Sequence, residues 1–98
     1  MTEEPPKQPS ADDLSRLEQE LRKLTVSDVV VQLMYTVSSL GYRKLSAEDR
    51  DLDQARLAIE SLRALLPVVE GSVPDDVVRD FRQVTSNLQL AYADATRQ

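Results

Sequence analysis

The stretch SDVVVQLMYTVSSLGYRKL, Ser27 to Leu45, carries no charge between Asp28 and Arg43, in a chain that is 30% charged. Three structures suit such a run: a membrane span, a strand, or a helix buried among partners. Fourteen uncharged residues rising ~1.5 Å each cover about 21 Å, short of the ~30 Å of a bilayer core. Gln32, Thr36, Ser38, Ser39 and Gly41 interrupt the apolar character further. The three successive valines favour a strand locally, but no other run alternates to supply a sheet partner. Stepping about 100° per residue gathers Val26, Val29, Val30, Leu33, Met34, Val37 and Leu40 on one broad face. Val31, Tyr35 and Tyr42 gather on a second, roughly opposite. The stretch is a helix that must be covered on two sides, by its own chain or by another molecule.

The neighbouring segments read as helices too. SADDLSRLEQELRKL opens with Ser10 as N-cap and Asp13 three residues later, the pattern of a capping box. Leu14, Leu17, Leu21 and Leu24 then form a narrow heptad-like stripe. DLDQARLAIESLRALLPVVE sets Leu52, Ala55, Ile59, Leu62, Leu66 and Val69 on one face, with Asp51 and Gln54 as a second capping box. Pro67 removes a backbone hydrogen bond, so it kinks this helix or ends its regular part near Leu66. Gly71 marks the stop. After it, Ser72 is a candidate cap, Pro74 fits the first turn, and Asp75 and Asp76 complement the positive end of the helix dipole. Val77, Phe81, Val84, Leu88, Ala91, Tyr92 and Ala95 make the last apolar face. Short links between helices favour antiparallel neighbours. The expected architecture is all-α: a small antiparallel three-helix core from residues 26–45, 51–70 and 73–96. An additional N-terminal amphipathic helix, residues 11–24, packs beside this core or pairs with another chain. Residues 1–10, with three prolines and two glutamates, are expected to be a solvated tail.

Composition narrows the chemistry. Ninety-eight residues suffice for one domain, which buries about two thirds of its unfolded surface. With no cysteine and no histidine, disulfides, thiolates and the commonest general base and metal ligand are missing. The net charge is −5, spread along the chain, and no dense basic stripe is present for a phosphate backbone. Nucleic acid is therefore not an expected partner, and neither is a membrane. The N-terminus MTEEPPKQPS lacks the basic and apolar regions of a secretory signal, so a cytoplasmic location is expected.

Three local patterns invite a functional reading. Asp49, Asp51, Asp53 and Glu60 stand at the first, third, fifth and twelfth positions of a calcium EF-hand loop. The sixth position, which requires glycine, is Gln54, and the eighth, normally aliphatic, is Arg56. The helical period running through the same residues favours an acidic helix start, so no metal is expected. PKQP, Pro6 to Pro9, matches PxxP but reads as a spacer. Arg43, Lys44 and Arg50 form a small basic patch that suits the negative end of a helix. The only glycines are Gly41 and Gly71, so no glycine-rich phosphate loop exists, and the serines lack their usual base. Neither an enzyme nor a cofactor is expected.

DLDQARLAIESLRALLP followed by DFRQVTSNLQLAYADAT, with VVVQLMYTVSSLGYRKL before them, resembles a bacterial family described as domain of unknown function 1844. The similarity covers about residues 26–96. The family's DLxxARxxIxxL pattern falls on Leu52, Ala55, Arg56, Ile59 and Leu62, and its LxL-aromatic ending on Leu88, Leu90 and Tyr92. The resemblance implies a small bacterial, cytoplasmic, helical protein without an assigned activity, and it carries over no catalytic residue. It draws notice to Arg56 and Leu90, which lie off the main apolar faces of their helices. Arg56 is expected to reach a carboxylate across the core edge, and Leu90 to meet another subunit. The expectation is a helical protein-protein interaction module that self-associates as a dimer, with Val31, Tyr35, Tyr42 and Leu90 in the interface. Two alternatives stand beside it. One is an acidic accessory protein docking on a basic partner in the translation or transcription machinery. The other is a monomeric binder of a metal or small ligand.

Overall fold

Three of the four helices begin where a side chain caps the first amide groups. The computed structural model describes residues 10–97, so the expected tail, with PKQP, lies outside the described residues apart from Ser10. The helices are α1 (Ala11–Lys23), α2 (Val26–Leu45), α3 (Leu52–Val69) and α4 (Asp75–Thr96). All regular structure among the described residues is helical, which bears out the all-α class. Ser10 and Asp13 form a reciprocal capping box at α1, and Thr25 and Asp28 form another at α2. The Asp51 carboxylate accepts the Gln54 amide. Asp51's own N–H donates to the Lys44 carbonyl at 2.8 Å, which ties the start of α3 to the end of α2. The box expected there is therefore half a box. Ser72 does not cap α4; Pro74 occupies that position without a side-chain bond. Pro67 neither ends nor shortens α3, which runs on to Val69, and the Glu70 amide bonds back to Leu66. Gly71, at φ +83°, makes the turn that an L-residue resists.

α2, α3 and α4 pack on one another, and α1 packs on none of them. Val26 and Val30 lie beside Val68 and Val69, while Leu40 and Lys44 lie beside Gln54 and Leu57. α2 and α3 therefore run in opposite senses. Glu70 pairs with Arg82 near the α3–α4 turn, while Arg56 and Ile59 lie by Gln89 and Tyr92, so α3 and α4 are opposed as well. The core centres on Met34, Leu62 and Leu88, each without solvent contact. α3 buries the face expected of it, with Leu52 at its margin and Ala58 added.

The broad apolar face expected of α2 is corrected by the structure. Met34 is buried, and Val30 and Val37 are half-buried, but Val26, Val29, Leu33 and Leu40 are exposed. The buried stripe is Met34, Ser38, Gly41 and Leu45, between the two faces read from periodicity. Its small members let neighbouring helices approach. A Cβ on Gly41 would stand 3.0 Å from Ala58 Cβ. The Ser38 hydroxyl donates to the Met34 carbonyl at 2.7 Å, so its burial leaves no orphaned polar atom. α4 shows the same shift: Val78 and Thr85 are buried where Val77 and Val84 were expected, and Thr85 donates to the Phe81 carbonyl at 2.7 Å.

α1 stands away from the other helices. Only Leu24 and Thr25 separate it from α2, and the two helix axes meet at 90°. None of its residues is buried. The radius of gyration, 18.5 Å, exceeds the ~13 Å of a compact chain of about 100 residues. Among the described residues no single helix is long and apolar enough to cross a membrane.

Candidate functional site

Burying the small-residue stripe of α2 leaves its larger apolar residues outside. Val26, Val29, Leu33 and Leu40 run along one edge of the helix, four turns in length. Val26 is 80% exposed and Leu33 53%. On α3 the neighbouring exposed apolar residues are Leu57 and Val68, the latter 66% exposed. Between these edges the half-buried Val37 and the buried Ala58 line a cleft with Leu40 and Leu57 at one end of the α2–α3 seam. Val30 and Val68 line a second cleft at the other end. The two clefts, about 170 and 280 Å³, are smaller than the ~300 Å³ at which small-molecule pockets begin. The seam that carries both clefts is termed the α2–α3 trough, and the only charged residue lining either cleft is Lys44. The six exposed residues present on the order of 500 Å² of apolar surface, within the range of the largest patch on a monomeric domain, a patch that is often functional.

A second exposed apolar surface lies on α1. Leu14, Leu17, Leu21 and Leu24 are each about half exposed or more. They form one stripe, flanked by Asp13, Glu18 and Glu20 at the adjoining helix positions.

The four interface residues named from the sequence do not form one patch. Tyr35 rests against Phe81 with ring centroids 4.8 Å apart and planes tilted by 56°, while 56% of its surface stays exposed. Val31 is half-buried against the core. Tyr42, two helical turns beyond Tyr35, is on the same side of α2 and exposed. Leu90, 67% exposed, lies across α4 from its buried Phe81, Thr85 and Leu88. Arg56 does not cross the core edge; it pairs with Glu60 one turn along its own helix at 3.1 Å.

Three of the four carboxylates of the EF-hand-like spacing are engaged with neighbours of their own. Asp49 pairs with Arg43, Asp51 caps α3 and Glu60 pairs with Arg56. Among the described residues no three acidic side chains gather as a metal site would need. In the basic patch, Arg50 donates to the Leu45 carbonyl at 3.1 Å, at the negative end of α2.

Sequence reasoning missed the α2–α3 trough because its walls were counted as core. The signal available was the pair Ser38 and Gly41, whose spacing from Met34 and Leu45 marks a close-packing stripe. Comparison with protein-family models, curated proteins and solved structures gave no match.

Proposed function

We propose that the protein is a non-enzymatic helical interaction module that associates with itself through the apolar face shared by α2 and α3. The observation that carries this reading is the exposed row Val26, Val29, Leu33 and Leu40, continued by Leu57 and Val68 across the seam. A chain of 98 residues has few elements to cover both sides of such a helix, and α4 already covers the other. Burying apolar area contributes about 25 cal/mol per Å², of which association entropy offsets a large part. The acidic surface, at net charge −5, favours solubility of the assembly and a cytoplasmic setting. The finer architecture belongs to the same proposal: an antiparallel three-helix bundle with an N-terminal helical appendage, of the bacterial kind described as domain of unknown function 1844.

Light-scattering mass measured across protein and salt concentration tests the reading. A dimer at micromolar concentration that persists in high salt is expected, because apolar contacts are not screened. A single-chain mass at high micromolar concentration overturns it. An association that disappears in salt points to charge-driven docking instead.

A further inference from the structure

We infer that the trough between α2 and α3 receives the leucine stripe of α1 from a second copy of the chain, each copy giving its α1 to the other. This rests on the self-association proposed above and names the segment that makes the contact.

The chain carries two unpartnered apolar surfaces, one concave and one convex. The trough is walled mainly by aliphatic side chains, with Ser27, Gln54, Ser61, Ser72 and Lys44 at its margins, and the stripe is Leu14, Leu17 and Leu21 on a 13-residue helix with Leu24 at its C-cap. A helix of this length is marginal alone in water, so its stability calls for a packing partner. Among the described residues its own chain supplies none, since α1 touches no other helix.

The connection keeps the two surfaces of one copy apart. Leu24 and Thr25 are the whole linker, both extended, and α1 leaves at 90° to α2. Thr25 is held on both its amide and its hydroxyl by Asp28, at 3.2 and 3.1 Å. Folding α1 back onto its own trough demands a full chain reversal in these two residues. A second copy needs no reversal.

Size and charge fit the exchange. Leu14 to Leu24 spans about 15 Å and Val26 to Leu40 about 21 Å. With the incoming α1 antiparallel to the receiving α2, its acidic first turn, Asp12 and Asp13, comes to the end of the trough that holds Lys44. Reciprocal seating closes under a two-fold axis. It removes on the order of 1,500 Å² from water, the area of a standard stable interface.

The test uses the full chain. Leu17→Asp with Leu21→Asp alters only exposed positions, so α2, α3 and α4 are left as they are. The double variant is expected to dissociate about 100-fold more readily than the wild type, as read by light scattering. Because the chain has no cysteine, two single-cysteine copies report the pairing directly. A Leu21→Cys copy mixed with a Leu33→Cys copy is expected to yield the mixed dimer with a short bis-maleimide. If the Asp variant remains dimeric and Leu33→Cys copies link to each other instead, the α2–α3 faces meet directly; this inference fails while self-association stands. If the wild type has a single-chain mass, both fail.

Discussion

Gly41→Ala measures the closest approach between α2 and α3. A methyl there stands 3.0 Å from Ala58 Cβ and 3.4 Å from Leu88 Cδ2. Carbon atoms prefer about 3.5–4.0 Å. The leucine tip can turn aside, but Ala58 Cβ is fixed to the α3 backbone. The helices must then part by a few tenths of an ångström, which weakens the dispersion contacts along the seam. Met34, Leu62 and Leu88, all fully buried, share that core. Such overpacking costs about 1–3 kcal/mol, while alanine in place of glycine within a helix returns about 0.5–1 kcal/mol. The expected net loss is about 1 kcal/mol, measured by urea denaturation at one protein concentration. Ala58→Gly alone also destabilises, through helix propensity. Combined with Gly41→Ala it moves the methyl from one helix to the other, so the double-mutant cycle is expected to show a favourable coupling of about 1 kcal/mol. If Gly41→Ala instead raises stability by the full propensity gain, with coupling below about 0.3 kcal/mol, the reasoning about this contact is refuted.

Three further outcomes are expected. Leu33→Asp with Leu57→Asp, both at exposed positions, abolishes self-association and leaves helicity by circular dichroism unchanged; a persistent dimer mass would remove the α2–α3 face from the interface. Gly71→Ala, at φ +83°, costs about 1–2 kcal/mol in the same denaturation assay although open space surrounds the new methyl, because the left-handed conformation itself is strained. Arg56→Ala changes stability by less than about 0.5 kcal/mol, since its ion pair with Glu60 is solvent-exposed; a larger loss would mean that the arginine is engaged elsewhere.

Legibility differed from helix to helix, for physical reasons. α3 was readable because its buried side is built from Leu, Ile, Val and Ala at regular spacing, and Leu62, Leu66 and Val69 are where that spacing puts them. α2 was readable as a helix but not in its orientation. A count of apolar residues gives Ser38 and Gly41 no weight, yet these two are buried and Val26 and Leu40 are not. Small residues are buried because they admit a neighbour's backbone, which is a property of the pair of helices. α4 turned for the same reason, around Thr85. The leucine stripe and capping box of α1 were both visible; that it would stand clear of the other helices was not, since this depends on the bend at Leu24 and Thr25. Tyr42 and Leu90 are both exposed, on α2 and α4 respectively.

Both buried hydroxyls, Ser38 and Thr85, donate to carbonyls one turn earlier in their own helices. Among the described residues no side-chain hydrogen bond runs from α2 to α4. The relative height of these two rods is therefore governed by steric fit alone, with the Tyr35 ring lodged against Phe81 as its chief catch. A seam without polar teeth is held in register by packing, so a change of volume at Tyr35 or Phe81, rather than the loss of a hydrogen bond, is what would shift α2 against α4.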